Sequence, residues 1–524
     1  MAMLEQEDAG SALPQLTATD LPKLSWARLL TISIFAFALN FHWGAIGTII
    51  IPSQVARIAG NLDKGSALAF VLIPGAFISL IANPLFGWLS DQTHGKLAVW
   101  GRRRPFILVG TLINAAALVW MAAARDIPSL AIGYGLVQLS SNAAQAPFHA
   151  VLPDIVPFKQ RGLTSGLLGL LYTAGTIGGV VIGGTLIDSS KPLPLYEQEI
   201  WLVYSIIIVI LVALMLITVF TIYERMPAKT SAVAPAETPD VVPAETPAIV
   251  PTEEAPGEER VEASPRRSWF SPSLVNTLMS TLVAALLIWG GMALWNVWHL
   301  AGIQVNGTTQ QVVLEVVVTI GILRLFDFRP RRDPDFAWVL LTRLLMMLGI
   351  YTIQDFLQYY MSNVVGATHP EQATRNFVIL VSLSSIITAL AAGWLSDRFG
   401  RKRIVYVSGV MMALVGLIFI VTHSMPIVIA AGALFGLGYG AYLSVDWALV
   451  VDVLPSQRNF ARDMGVWNIA LSMPQVIAPA LGGPLIDTFT RAGNPVLGFQ
   501  LIFGMAIVYC LVSTTAIRFI RGAK

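Results

Sequence analysis

Charged residues are scarce in this sequence, and their scarcity excludes most soluble folds. Aspartate, glutamate, lysine and arginine make up 12% of the 524 residues, against about 25% in a typical soluble protein. Hydrophobic residues make up 55% of the chain, and the mean hydropathy is +0.69. A chain with so little charge cannot cover its whole surface with groups that face water. The composition therefore predicts a membrane protein.

Cysteine and catalytic motifs are also nearly missing. Cys510 is the single cysteine, so neither an internal disulfide nor a cysteine-based metal cluster can form. The net charge of +2 gives no electrostatic reason to expect nucleic-acid binding. The sequence contains no HExxH, no GxSxG, no P-loop and no acid pair at catalytic spacing. We predict a protein that is not an enzyme and that holds no metal or cofactor.

Long apolar runs are abundant. A run of about 20 apolar residues can cross the ~30 Å hydrocarbon layer of a bilayer as a helix. Two series of six such runs are separated by a long polar stretch. The runs fall at 27–51, 66–88, 105–124, 128–151, 163–187 and 199–222, and at 336–360, 374–396, 404–423, 426–451, 464–487 and 497–520.

Three short motifs occur once in each series. GWLSD stands at 87–91 and 393–397, GRRR at 101–104 matches GRKR at 400–403, and GGTLID at 183–188 matches GGPLID at 482–487. The offset is 306 for the first pair and 299 for the others, and one seven-residue insertion before Gly101 accounts for the change. The repeat predicts an all-α membrane protein of two six-helix bundles, 27–222 and 327–524, related by a pseudo-two-fold axis.

The segment between the two series divides into two parts. Residues 223–272 are rich in Pro, Glu, Ala and Thr and contain PAETP twice. Such a stretch cannot bury enough apolar area to fold, so we predict a disordered linker. Residues 273–326 hold two further apolar runs. An extra transmembrane hairpin keeps the basic loops 101–104 and 400–403 on one side of the membrane; the alternative is a re-entrant or interfacial hairpin.

The distribution of basic residues predicts the orientation. The short loops on the GRRR and GRKR side carry twelve lysines and arginines, and those on the other side carry six. Because cytoplasmic loops are enriched in these residues, both termini are predicted to be cytoplasmic. Residues 1–26 would form a cytoplasmic tail, and the linker 223–272 would lie on the same side. The expected location is the plasma or inner membrane.

The loops after both GWLSD motifs resemble the signature loop G-x-x-x-D-x-x-G-R-K/R of the major facilitator superfamily. The resemblance implies the major facilitator fold and a gate at the cytoplasmic ends of the helices. The alternative role of the arginines is to anchor the orientation. The residues assigned to the gate and its motif loops are Gly87, Asp91, Gly101, Arg102, Arg103, Arg104, Asp154, Arg161, Gly393, Asp397, Gly400, Arg401 and Arg403.

A finer resemblance covers most of the chain. GRRRPFI at 101–107, NAAQAPFHAVLPD at 142–154 and MGVWNIALSMPQVIAPALGG at 464–483 resemble the bacterial branch related to the plant sucrose–proton symporters. That resemblance implies transport of a sugar or glycoside with protons. Two positions depart from the plant pattern. His149 replaces a sugar-contacting arginine and Gln138 replaces a proton-accepting aspartate, so sucrose and that proton site are not carried over.

Polar residues within the spans are the candidate solute ligands. Gln138, Asn142, Gln145 and His149 follow at steps of four, three and four, which places them on one helix face. That face should line a cavity, because unpaired polar groups are costly in hydrocarbon; the alternative is hydrogen bonding between helices. Amides beside aromatic rings suit sugars. The further candidates are Asn40, His42, Trp43, Tyr351, Gln354, Gln358, Tyr359, Trp467, Asn468, Ser472 and Gln475.

Few acidic residues lie within the predicted spans, and they are the candidates for proton coupling. Burial away from water favours the neutral form of a carboxylate, which can then carry a proton. Asp355 is the leading candidate because it lies within the polar stripe of the seventh repeat span. Asp446 is a second candidate or a partner for a loop arginine, and Glu315 lies near a span end. His42 and His149 are alternatives because histidine titrates near neutrality.

Together these features predict a secondary active transporter. It would carry a small polar solute, a sugar or glycoside, by alternating access with proton coupling, and would work as a monomer in the bilayer. One alternative is efflux of amphiphilic compounds by the same fold. Another, of a different class, is a membrane sensor that has kept the fold without transporting.

Overall fold

The computed structural model describes residues 23–91, 93, 101–157, 160–222, 272–298, 307–325, 330–453, 466–467 and 469–521. Fourteen long helices and no strand lie within these ranges. They are α1 Trp26–Ala59, α2 Lys64–Asp91, α3 Arg104–Ala123, α4 Ile127–Ile155, α5 Arg161–Leu186, α6 Leu193–Thr221, α7 Pro272–Trp298, α8 Gly307–Leu325, α9 Pro334–Asn363, α10 Pro370–Phe399, α11 Arg401–Val421, α12 Met425–Asp452, α13 Ile469–Arg491 and α14 Pro495–Ala516.

Twelve of these helices are long and apolar enough to cross a membrane, by length and composition alone. The two that fall short are α4 and α8. Helix α4 is 29 residues long, enough to span, and its sequence is interrupted by the polar stripe from Gln138 to His149. The architecture confirms the predicted all-α fold, with α1–α6 and α9–α14 as the two six-helix halves and α7–α8 as the extra pair. The linker prediction lies outside the described residues.

Helix α1 is irregular at two points along its length. It is interrupted at Ile34, and residues Ile46–Ile50 form a π-helical turn. Such turns are common at functional sites because they rotate the following residues relative to the preceding ones. His42 and Trp43 lie near the end of the regular segment Phe35–Ala45, so the π turn that follows sets how they are oriented relative to the rest of α1.

Glycine allows α5 to pack closely on α1. A Cβ added at Gly175 would lie 2.3 Å from the Phe37 carbonyl oxygen, and one at Gly179 would lie 2.0 Å from that of Phe41. Both distances are far shorter than a normal contact, so no side chain fits. The glycines in TIGGVVIGG at 176–184 therefore belong to helix packing.

The extra helix pair packs against both halves. Helix α8 contacts α2 of the first half and α13 of the second, and its Thr319 hydroxyl lies 3.0 Å from the Met473 sulfur. Helix α7 packs on α8, with Thr281 against Gly321. Many residues of α7 that are described, such as Leu287 and Trp289, are exposed. Because their side chains are apolar, we expect this face of the hairpin to contact lipid.

Candidate functional site

The polar stripe of α4 begins with a buried hydrogen bond. Gln138 donates from Nε2 to the Tyr134 hydroxyl at 2.7 Å. One turn later, Asn142 donates to the Gln138 carbonyl at 2.8 Å and to the Ser79 hydroxyl at 3.2 Å, and it accepts from Asn83 at 3.1 Å. Ser79 and Asn83 belong to α2, so Asn142 joins two helices. This part of the stripe matches the alternative of interhelical hydrogen bonding.

The loop-proximal part of the same stripe is more open. Gln145 is half-buried and His149 is exposed. The His149 Nε2 atom lies 3.0 Å from the hydroxyl of Tyr172 on α5, and their rings are 6.3 Å apart. An imidazole and a phenol at this distance offer both a donor and an acceptor to a polar molecule.

Aromatic rings connect α1 to α4. The Trp43 ring is perpendicular to the Tyr134 ring, with 6.4 Å between centroids, and lies 4.6 Å from the His42 ring. His42 is completely buried, and neither ring nitrogen has a hydrogen-bond partner among the described residues. Asn40 donates to the Ala36 carbonyl of its own helix at 3.1 Å. Of the α1 candidates, Trp43 is therefore the one placed against the polar face of α4.

The second half places a carboxylate opposite this face. Asp355 on α9 is half-buried, and its Oδ2 atom is buried without a hydrogen-bond partner among the described residues. It is close enough to Tyr134 and Tyr351 to interact electrostatically with both. The Tyr351 hydroxyl accepts from Gln475 of α13 at 3.0 Å. We call Trp43, Tyr134, Gln138, Tyr351, Asp355 and Gln475 the central site, because together they join the two halves around one carboxylate.

Asp446 belongs to a different, fully buried cluster. It forms an ion pair with Arg343 of α9, and the Tyr442 hydroxyl donates to its Oδ1 atom at 3.0 Å. The Trp467 ring lies 3.4 Å from the guanidinium carbon. The partner of Asp446 is thus an arginine inside a span, and the predicted pairing with a loop arginine is wrong. Arg343 was missed although a single arginine within LLTRLLMM is a strong signal of function or pairing.

Two further candidates lie where the halves meet. The Tyr359 hydroxyl donates to the Pro52 carbonyl at 3.1 Å, and the Gln358 Nε2 atom is 3.3 Å from Glu371 Oε1. Glu371 is fully buried and also accepts from the Ser53 hydroxyl at 2.9 Å. The residues of the predicted seventh-span stripe therefore lie in two different places. Tyr351 and Asp355 belong to the central site. Gln358 and Tyr359 belong to the contact between the halves. Gln354 is half-buried, and Asn468 lies outside the described residues.

The repeated motif loops share a backbone requirement. Gly101 has φ of 113° and Gly400 has φ of 90°, values that glycine adopts without strain. In the second loop, Arg401 forms an ion pair with Asp452 and donates to the Ala448 carbonyl, both on α12. The side chains of Asp91, Asp154 and Asp397 lie outside the described residues. Their gate role, and that of the loop arginines Arg102, Arg103, Arg104, Arg161 and Arg403, stays a prediction.

Comparison with known proteins identifies the family. Residues 29–325 and 339–523 match the sequence model of the Major Facilitator Superfamily. The chain belongs to this superfamily. Its fold is similar to that of a crystallised POT peptide transporter, with a TM-score of 0.64 over 97% of this chain and 98% of that one, at 16% identity.

Relatives in the superfamily carry names of two transport types. The multidrug transporter MdtP of Bacillus subtilis is 21% identical over 88% of this chain and 76% of its own length. The sucrose transport protein SUC3 of Arabidopsis thaliana is 28% identical over 31% of this chain and 30% of its own. The predicted fold, the resemblance to the superfamily and the transporter class are confirmed. The chain is a multi-pass membrane transporter of a small solute, and its relatives are transporters, not enzymes.

Proposed function

We propose that this protein is a secondary active transporter of a sugar or glycoside, moved by alternating access and coupled to protons. The observation that carries the proposal is the position of Asp355. It is the carboxylate of the central site, one of its oxygens is buried without a partner in the part of the chain that the structure describes, and tyrosines from both halves interact with it electrostatically. A group in this position meets the solute and changes its surroundings each time the halves move.

The central site suits a polyhydroxylated molecule. Aromatic rings can stack on the apolar face of a sugar, while amides and hydroxyls bond its hydroxyl groups. Trp43, Tyr134 and Tyr351 supply rings, and Gln138 and Gln475 supply amides. The similarity to the sucrose transport protein over part of the chain supports this solute class.

Asp355 is the preferred proton site because the other candidates have partners or less suitable positions. Asp446 is neutralised by Arg343, and His149 contacts Tyr172. His42 is fully buried, so it would have to gain access to water during the cycle. Asp355 is half-buried in the central site, where closing the cavity would favour its neutral form and opening would favour its charged form.

The distribution of basic residues supports an orientation for the cycle. We define the loop end as the end that carries GRRR at 101–104 and GRKR at 400–403, and the closed end as the end where residues 52–66 and 185–191 meet 359–375 and 483–494. The loop end would face the cytoplasm, with both termini, and the closed end would face outside. The protein would act as a monomer in the plasma or inner membrane, with Asp91 and Asp397 at the cytoplasmic gate.

Transport by purified protein in liposomes tests this proposal. A panel of radiolabelled sugars and glycosides is offered in counterflow, and each positive solute is then tested for accumulation under an imposed pH gradient. We expect counterflow of at least one sugar and accumulation that a protonophore removes. If no sugar moves and amphiphilic cations or dyes are carried instead, the protein is an efflux transporter. The long match to MdtP supports that second candidate.

Trp43→Ala should weaken solute binding about tenfold, which corresponds to about 1.4 kcal/mol. The loss follows from removal of the ring that packs against Tyr134 at the central site. Trp43→Phe should retain most of the affinity, because it keeps an aromatic face. The control is Trp201→Ala on the exposed surface of α6. Equal affinities for the Trp43→Ala and Trp201→Ala proteins in counterflow would remove Trp43 from the site.

A further inference from the structure

The repeated GGxLID sequence, at 183–188 and 482–487, lies at the closed end and has no part in the central site. In the first half the motif covers the C-terminal end of α5 and the two residues after it, and in the second half it lies within α13. Each copy contacts a helix of the other half, since α5 packs against α10 and α13 packs against α2. Helices α2 and α10 are themselves repeat partners, because both carry GWLSD. The motif therefore forms the same crossing twice.

The second glycine of each copy makes the crossing possible. A Cβ added at Gly483 would lie 2.3 Å from the Gly65 carbonyl oxygen, and one at Gly184 would lie 2.8 Å from the Glu371 carbonyl oxygen. Both are shorter than any real contact, so the helices touch through their backbones. Gly65 and Glu371 occupy the same position of the repeat, with the offset of 306 that relates the two GWLSD motifs. Each glycine thus approaches the carbonyl oxygen of the same repeat position, although Gly184 also lies close to the Arg375 side chain, with a built Cβ 2.5 Å from Arg375 Cβ.

The aspartate of each copy holds the beginning of the facing helix. Asp487 accepts from the Gly65 and Ser66 amides at 2.9 Å and 2.6 Å, which are N–H groups at the start of α2 that no helical carbonyl can reach. Asp188 Oδ2 lies 3.2 Å from Nδ1 of His369, the residue before α10. A carboxylate near a helix N-terminus is also favoured by the helix dipole.

The Asp188 carboxylate is suited to this contact at neutral pH. Burial alone would raise its pKa, but hydrogen bonds from the Ser190 hydroxyl and amide and from His369 outweigh that effect and lower the pKa below its usual value. The side chain therefore remains charged well below neutrality. A charged acceptor makes stronger hydrogen bonds than a neutral one.

Other polar contacts between the halves surround the two motifs. Arg375 donates to Thr185 at 2.8 Å, Lys64 donates to Asn363 at 2.8 Å, and Arg491 pairs with Asp63. All of these contacts join the first half to the second. Alternating access requires the halves to separate at this end, so each contact must break once in every cycle.

We propose that the two GGxLID motifs form the gate of the closed end, and that Asp188 and Asp487 set how often it opens. The glycines permit contact between helix backbones, and the carboxylates stabilise the closed form over the open one. Removing either carboxylate removes a contact between the halves that only the closed form makes, and so shifts the population toward the open form. The proposal rests on membership of the superfamily and holds for any solute.

Distance measurement between spin labels tests the gate directly. Cys510→Ala removes the single native cysteine, and cysteines at Leu62 and Leu497, which are exposed on opposite halves at the closed end, carry the labels. In lipid nanodiscs, Asp487→Asn and Asp188→Asn should each raise the fraction of long distances at least threefold. Gly483→Val should raise it further, because its side chain cannot fit against Gly65.

Two control variants separate a gate from a general loss of stability. Asp126→Asn alters an aspartate that accepts from Ser129 at 2.7 Å at the start of its own helix α4, within one half. Gly178→Ala, outside the motif, places a Cβ 3.1 Å from the Phe41 ring of the same half. Neither should change the distances. Unchanged distances in both the Asp487→Asn and Asp188→Asn proteins would overturn the gate, whichever solute is carried, and a shift would uphold it even if no sugar is transported.

Discussion

Asp355→Asn is expected to abolish accumulation of solute against a gradient while leaving solute exchange within about twofold of the parent protein. Asparagine keeps the size and polarity of the side chain but cannot release a proton. With one proton per solute, a pH gradient of one unit supports about tenfold accumulation, because it supplies about 1.4 kcal/mol. The variant should reach only equal concentrations on the two sides.

The measurement compares pH-driven uptake with counterflow in the same vesicles. Asp126→Asn serves as the matched control, because it makes the same chemical change in a helix-capping residue far from the central site. It should accumulate solute like the parent protein. If the Asp355→Asn protein still concentrates solute under a pH gradient, Asp355 does not couple protons, and His149 or His42 becomes the candidate to test.

Arg343→Met should destabilise the protein by about 3–5 kcal/mol, the usual effect of leaving one member of a buried ion pair without its partner. The side chains of Arg343 and Asp446 are each only 4% exposed. Water therefore cannot solvate the Asp446 carboxylate that is left without its partner. Methionine has a similar length and no charge. The expected result is a markedly lower melting temperature in detergent and a poor yield of folded protein.

Removing the second charge should restore most of that stability. In the double variant Arg343→Met with Asp446→Leu, no unpaired charge remains, and replacing a whole buried ion pair by apolar residues is often close to neutral. Lys191→Met is the control, since its pair with Glu199 is partly exposed and its loss should change stability little. If the double variant is no more stable than the Arg343→Met protein, the loss of stability does not come from the unpaired Asp446 charge.

The helices could be predicted from sequence because the bilayer imposes a length and an apolar composition on each of them. Helix α4 is the instructive case. Its polar stripe lowers its hydropathy below that of a clear span, yet the apolar run at 128–151 is still recognisable in the sequence, and the repeat of GWLSD and GGxLID agrees with a helix there. A structural repeat can therefore support a span whose hydropathy is lowered by functional polar residues.

The side-chain partners could not be predicted in the same way. The spacing of Gln138, Asn142 and His149 placed them on one face of α4, but that face is wide enough to meet two neighbours. Asn142 bonds to α2, while His149 contacts α5. Helical periodicity predicts which side of its own helix a residue lies on. Whether that side meets a cavity or a neighbouring helix depends on how the whole bundle packs.

Arg343 and Glu371 were missed for different reasons. Arg343 lies inside a predicted span, where a charge alone should have marked it for pairing with Asp446. Glu371 is the second residue of α10, and the predicted span began at 374. It therefore seemed to belong to a loop, although the structure buries it completely between the two halves.

The duplicated crossing at the closed end bears on the origin of the protein. An ancestral six-helix chain that paired with a second copy of itself would have made this contact twice, with identical residues. The backbone approach of Gly184 and Gly483 preserves that symmetry, whereas the partners of Asp188 and Asp487 have diverged into a histidine side chain and two amides. The glycine crossing is therefore one that an unfused pair of six-helix chains could also make, whereas the two aspartate contacts are particular to each half.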